Sequence, residues 1–97
     1  MIMDTSTYQL IDKEAIPTLH FPSQEVLATK EEMKEREDAL KKALYLGNIE
    51  HAKAKIYFED DTSVKAVETT VWGLTDKRVI LKQGNVIPIN RVHKVKF

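Results

Sequence analysis

The sequence predicts an α+β domain: an N-terminal helix followed by a strongly bent, five-stranded antiparallel small β-barrel. Two observations carry that expectation. Residues 29–46 show a narrow apolar stripe in a charged background, the pattern of a helix lying on a surface. Beyond Gly47, residues 51–97 form short β-rich runs whose connections are too short for crossover helices. A chain of 97 residues makes one domain with one modest core. The expected division is an irregular N-terminal segment over 1–22 and a single helix-plus-barrel domain over 23–97.

In residues 1–22, Tyr8, Leu10, Ile11, Ile16, Leu19 and Phe21 follow no sustained period, and Pro17 and Pro22 cut the segment into extended pieces. Its apolar content predicts docking on the domain or on a neighbouring subunit. Thr29 and Glu32 have the spacing of a capping box, which starts the helix. Met33, Leu40 and Leu44 share its apolar face, and Gly47 is the expected left-handed residue that ends it. Alternation over Ala52–Phe58 predicts a half-buried strand. Glu59-Asp60-Asp61-Thr62 reads as a solvated hairpin tip. The long run Ser63–Leu74 changes alternation phase near its middle, which predicts a bulge or sharp bend. Val79–Gln83, Val86–Ile89 and Arg91–Phe97 supply the remaining strands, with Gly84-Asn85 as a tight turn. The expected core is Ile56, Phe58, Val71, Val79, Leu81, Ile87 and Ile89, closed by Leu40 and Leu44.

Composition excludes several chemistries. The chain has no cysteine, hence no disulfide and no thiolate nucleophile. His20, His51 and His93 lack metal-ligand spacing, so no metal or other cofactor is expected. No nucleophile–base set and no glycine-rich phosphate loop is visible, which predicts a non-enzymatic protein. No apolar stretch approaches a membrane span, and Met1 to Leu10 lacks the form of a signal peptide. A cytoplasmic protein without a membrane partner is the expectation.

Charge is uneven although the formal net charge is zero. Asp76 is the last acid, and Lys77, Arg78, Lys82, Arg91, Lys94 and Lys96 follow it. Such a basic half attracts anionic partners, of which single-stranded RNA is one. The aromatics Tyr57 and Trp72 are candidates for an outer face beside Lys53, Lys55 and Lys65, where they stack on bases or meet a protein.

The pieces Lys55-Ile56-Tyr57-Phe58-Glu59-Asp60-Asp61, Val64 to Trp72, Val79-Ile80-Leu81-Lys82-Gln83-Gly84 and Ile87 to Val95 resemble the Sm-like family of SH3-type small barrels over 29–97. The helix-Gly-Asn-strand layout also resembles a small uncharacterised bacterial protein family. The Sm-like resemblance implies rings built by strand-edge pairing that bind RNA. The family's Tyr-Lys-His and Arg-Gly signatures are absent, and Pro88-Ile89-Asn90-Arg91 stands in that region. The resulting expectation is a self-associating binding module, a homo-oligomer that contacts single-stranded RNA through a solvent-facing rim of Lys82, Asn90, Arg91 and Lys94, with Tyr57 and Trp72 as further contacts. The alternative is a protein–protein adaptor or dimerisation domain with no nucleic-acid role. Lipid binding on a pleckstrin-like sheet ranks lower, because such folds usually end in a helix and this chain ends in a strand.

Overall fold

The structure, a computed structural model, describes residues 8–97. The expected segment 1–22 and the signal-peptide reading of Met1 to Leu10 reach into residues 1–7, which lie outside the described residues. The element order is β1 (Gln9–Leu10), a 3-10 helix (Lys13–Thr18), α1 (Lys30–Glu50), β2 (Ala54–Glu59), β3 (Val64–Thr69), β4 (Val71–Leu74), β5 (Arg78–Leu81), β6 (Val86–Pro88) and β7 (Val92–Lys96). Single 3-10 turns at Lys82–Gly84 and Ile89–Arg91 flank β6.

This corrects the expected architecture. The helix is central in the chain, not N-terminal. Among the described residues there are seven strands in two sheets, which are not closed barrels. The first sheet has the order β1-β3-β2-β7 and the second β4-β5-β6. The predicted bend is the reason the sheets separate. Val64–Leu74 breaks at Thr70, whose carbonyl leaves the β3 ladder and accepts from Lys82 N at 2.9 Å. The ladder of β4 with β5 carries a further irregularity between Val71 and Gly73.

The extra strand comes from the N-terminal segment. β1 pairs in parallel with β3, Gln9 opposite Lys65 and Leu10 opposite Ala66. Ile11 N extends the pairing to Ala66 O at 2.9 Å. Ile16 is fully inside the core, and Ile11, Leu19 and Phe21 pack against it. Their irregular spacing hid this, because each apolar residue is placed by a turn and not by a period. β1 therefore covers the Lys65–Ala66 part of the β3 edge, which would otherwise stand open for pairing with another chain.

Both sheets and the helix contribute to one core. Ile56, Phe58, Val71, Val79, Leu81, Ile87 and Leu40 are fully buried, as their alternation predicts. Ile89 and Leu44 are half-buried against them, and Ala54, Val67, Val92 and Val95 complete the core. The capping box is present: Thr29 Oγ1 accepts from Glu32 N at 3.1 Å, and Glu32 Oε1 accepts from Thr29 N at 3.2 Å.

Gly47 does not end the helix. α1 runs one further turn to Glu50, and His51 takes the left-handed conformation at φ 55°. Gly47 is instead the point where the helix backbone rests on β4. A Cβ at that position would lie 2.5 Å from the Val71 carbonyl oxygen and 3.0 Å from Thr70 Cγ2. Helix propensity alone favours Ala over Gly by about 1 kcal/mol. The clash with backbone reverses that sign. Gly47→Ala is expected to destabilise by about 1–3 kcal/mol, the range for overpacking. A urea midpoint at or above wild type would contradict this contact.

Candidate nucleic-acid interface

The residues expected to form one basic rim are divided by the fold into buried ties and an exposed groove. Arg91 is buried. Its Nε donates to Glu59 O at 2.9 Å, Nη1 to Gln24 O at 2.8 Å and Nη2 to Asp60 O at 3.3 Å. The expectation that Arg91 faces solvent is thereby corrected. The 3-10 turn Ile89–Arg91 turns the guanidinium inward, onto the carbonyls of Gln24, of Glu59 at the end of β2 and of Asp60 just beyond it. Asn90 Nδ2 donates to Ser23 O at 2.8 Å and Gln24 O at 3.3 Å. Together Asn90 and Arg91 fasten the segment before α1 to the end of β2.

Tyr57 is also buried. It lies on the sheet face opposite the core, under Tyr8, in an edge-on contact with ring centroids 5.0 Å apart. Lys55 Nζ donates to Tyr8 Oη at 2.8 Å. The hydrogen bond from Lys55, with its charge, lowers the Tyr8 hydroxyl and raises the Lys55 ammonium relative to their ordinary values. Lys94 sits opposite Tyr57 in the β2–β7 register and is exposed.

The expected solvated tip at Glu59-Asp60-Asp61-Thr62 is corrected too. Asp60 is buried, and its Oδ1 accepts from Thr62 N, Thr62 Oγ1 and Ser63 N, each at 3.0 Å. Its Oδ2 accepts from Lys65 Nζ at 2.8 Å, and Lys65 is itself buried. Burial alone would raise the Asp60 carboxyl. The hydrogen bonds from Lys65, Ser63 and Thr62 outweigh it and hold the group far below the usual carboxylate range. The Asp-x-Thr-Ser order is the sequence signal for this turn. Nothing at Lys65 announces its inward turn, which removes it from the expected outer basic face. His93 is mostly buried, with Nε2 2.8 Å from Glu59 Oε1.

Two of the expected contact residues, Trp72 and Lys82, do come together. They line a groove of about 550 Å³ with Gly47, Asn48, His51, Lys53 and Thr70. The groove follows from elements already described. The close approach of Gly47 to β4 brings the last turn of α1 beside Thr70 and Trp72. The left-handed His51 then turns the chain so that Lys53 reaches the same side. Lys82 leaves β5 at its 3-10 turn, held by the bond from its own N–H to Thr70 O. Trp72 is 52% exposed, an unusual state for the chain's single tryptophan. No Asp or Glu lines this groove, whereas two other clefts contain Asp76 together with Glu25 or Glu37. A flat aromatic face in one groove with two lysines offers stacking and phosphate neutralisation in one place. Lys53 shares the groove with Trp72, as expected of the outer face, whereas His51 and Asn48 were not expected here, because their convergence depends on the helix running past Gly47.

Among the described residues no group of three or more His, Cys, Asp or Glu is placed to hold a metal ion, and no helix is long and apolar enough to cross a membrane. Comparison with protein-family models, with curated proteins and with solved structures found no match for this chain.

Proposed function

We propose that the protein is a non-enzymatic binding module that takes single-stranded RNA in the Trp72 groove. The observation that carries this reading is an exposed tryptophan that shares with Lys53 and Lys82 a groove free of carboxylates. Trp72 stacks on a base, and the two lysines each neutralise a phosphate. Asn48 supplies an amide and His51 an imidazole to the same space. The reading takes nothing from ring architecture and does not use Asn90, Arg91 or Tyr57, whose side chains are committed to the fold.

The single tryptophan makes the test direct. Short single-stranded RNA should quench Trp72 fluorescence at low salt. Two phosphate contacts predict a slope of log affinity against log salt of about −1.4. Trp72→Ala, followed by anisotropy of labelled RNA, should cost about 1–3 kcal/mol of binding. Lys53→Glu with Lys82→Glu should abolish quenching while leaving the far-ultraviolet circular dichroism unchanged, because both side chains are exposed. Absence of quenching by the wild type at low salt, or equal quenching in the double variant, would refute the proposal.

A further inference from the structure

One buried polar atom is left over when the side-chain hydrogen bonds are followed through the fold. Among the described residues, Arg36 Nε is the buried side-chain nitrogen or oxygen without a hydrogen-bond partner. An unpaired buried donor is costly, and few native groups are left that way. Arg36 stands on the buried face of α1, with its side chain 7% exposed. Its Nη1 donates to Glu25 Oε2 at 2.6 Å and to Val92 O at 3.1 Å, and its Nη2 donates to Glu25 Oε1 at 2.7 Å. Glu25 therefore closes the end of the guanidinium. In this planar group the N–H of Nε and the second N–H of Nη2 lie side by side on one edge. That edge has no acceptor among the described residues.

Arg36 lines two clefts, and both also contain Asp76 and Ile89. The cleft against α1 holds about 490 Å³, room for a small molecule, and has an apolar wall of Met33, Leu40, Leu74 and Ile89. Its charges are matched except one. Glu25 balances Arg36, and Glu37 balances Lys41 at 3.0 Å, which leaves Asp76 without an ion pair among the described residues. Each class of ligand meets these groups differently. A hydrocarbon would cover the apolar wall but leave the Arg36 edge unpaired. A carboxylate would pair with that edge but share the cleft with the unbalanced Asp76. An amine would suit Asp76 and bring no acceptor to Arg36. An uncharged amide brings both a carbonyl oxygen and an N–H. We infer that this cleft binds a small uncharged amide with an apolar body. Its carbonyl accepts from the Arg36 edge, its N–H donates to Asp76, and its apolar part lies against Met33, Leu74 and Ile89. Nε is closed to water in the free protein, so binding includes a slight opening of the cleft, which the long side chains of Met33 and Lys41 in its lining allow.

The inference is independent of the RNA reading, since this cleft shares no residue with the Trp72 groove. The probe is N-acetyl-leucinamide, titrated into the protein while the Arg36 Nε–H signal is followed by proton–nitrogen correlation NMR. A saturable shift of that signal is expected. Two controls differ from the probe in one respect each: N-acetylglycinamide lacks the apolar body, and N-acetyl-leucine is a carboxylate at neutral pH. Each should bind about tenfold more weakly, or less. Asp76 is exposed, so Asp76→Ala should fold normally and weaken the amide about three- to tenfold, the effect of one lost hydrogen bond. Arg36→Lys keeps a charge opposite Glu25 but has no planar edge, and it should abolish binding. If that variant does not fold, the wild-type Arg36 signal and Asp76→Ala carry the test. Trp72→Ala should leave the titration unchanged. No shift of the Arg36 signal by the amide, either control binding as tightly as the amide, or binding indifferent to Asp76→Ala would overturn the inference.

Discussion

Arg91→Glu is expected to destabilise the domain by about 3–5 kcal/mol, the range seen when a buried charge loses its partners. The wild-type guanidinium donates to three backbone carbonyls, at Glu59, Gln24 and Asp60. The variant removes all three donors and places a carboxylate against the same oxygens. It also stands near Glu59, whose Oε2 lies 3.9 Å from Arg91 Nη2 in the wild type. A small domain has only about 5–15 kcal/mol in total, so this one change takes a large share. Lys94→Glu, three residues on and exposed, should stay within about 0.5 kcal/mol of wild type. Urea denaturation measures both. Equal midpoints for the Arg91 and Lys94 variants would mean that Arg91 is free in solution. The charge reversal of Arg91 is therefore a probe of folding and cannot serve as a probe of RNA contact.

Asp60→Ala should cost a similar amount, about 3–5 kcal/mol, because it leaves the buried Lys65 ammonium without its counter-charge. It also strips the turn of the oxygen that accepts from Thr62 and Ser63. A pH dependence accompanies this. The folded Asp60 carboxyl titrates well below its unfolded value of about 3.9, so folding favours the ionised form. That stabilisation is fully present above about pH 4. It is lost as the pH falls toward the lower folded value, because the unfolded chain then binds the proton first. Asp60→Asn keeps a turn acceptor but removes this titration. Its stability should fall less steeply between neutral pH and strongly acid pH than that of the wild type. Parallel acid-unfolding curves for the two proteins would show that Asp60 is not the group responsible.

The strand core was legible because alternation reports burial directly. Ile56, Phe58, Val79 and Leu81 each lie inside, where a period of two places them. The break in the long strand was legible from its change of phase, and the helix start from Thr29 and Glu32. Other features were not legible, each for a physical reason. The parallel strand β1 spans two residues, too short to show any period. Gly47 is ambiguous in sequence, since glycine serves both a left-handed helix end and a close backbone approach, and only the packing of α1 on β4 decides. The closed barrel was expected from strand count and short turns. Neither of these reports whether a kink such as the one at Thr70 divides a sheet. In the candidate site, Trp72 and Lys82 were legible from residue type. His51 and Asn48 join them only through the extra turn of helix. Arg91, Lys65 and Asp60 were read as solvated because they are charged, yet each is buried with its hydrogen bonds satisfied inside the fold.

The most direct test of the binding reading is the fluorescence of Trp72 during titration with short single-stranded RNA, run on the wild type and on Lys53→Glu/Lys82→Glu at low and at physiological salt. The account predicts saturable quenching of the wild type that weakens as salt is added, and none in the folded double variant. Quenching absent from the wild type, or the same in both proteins, would contradict it.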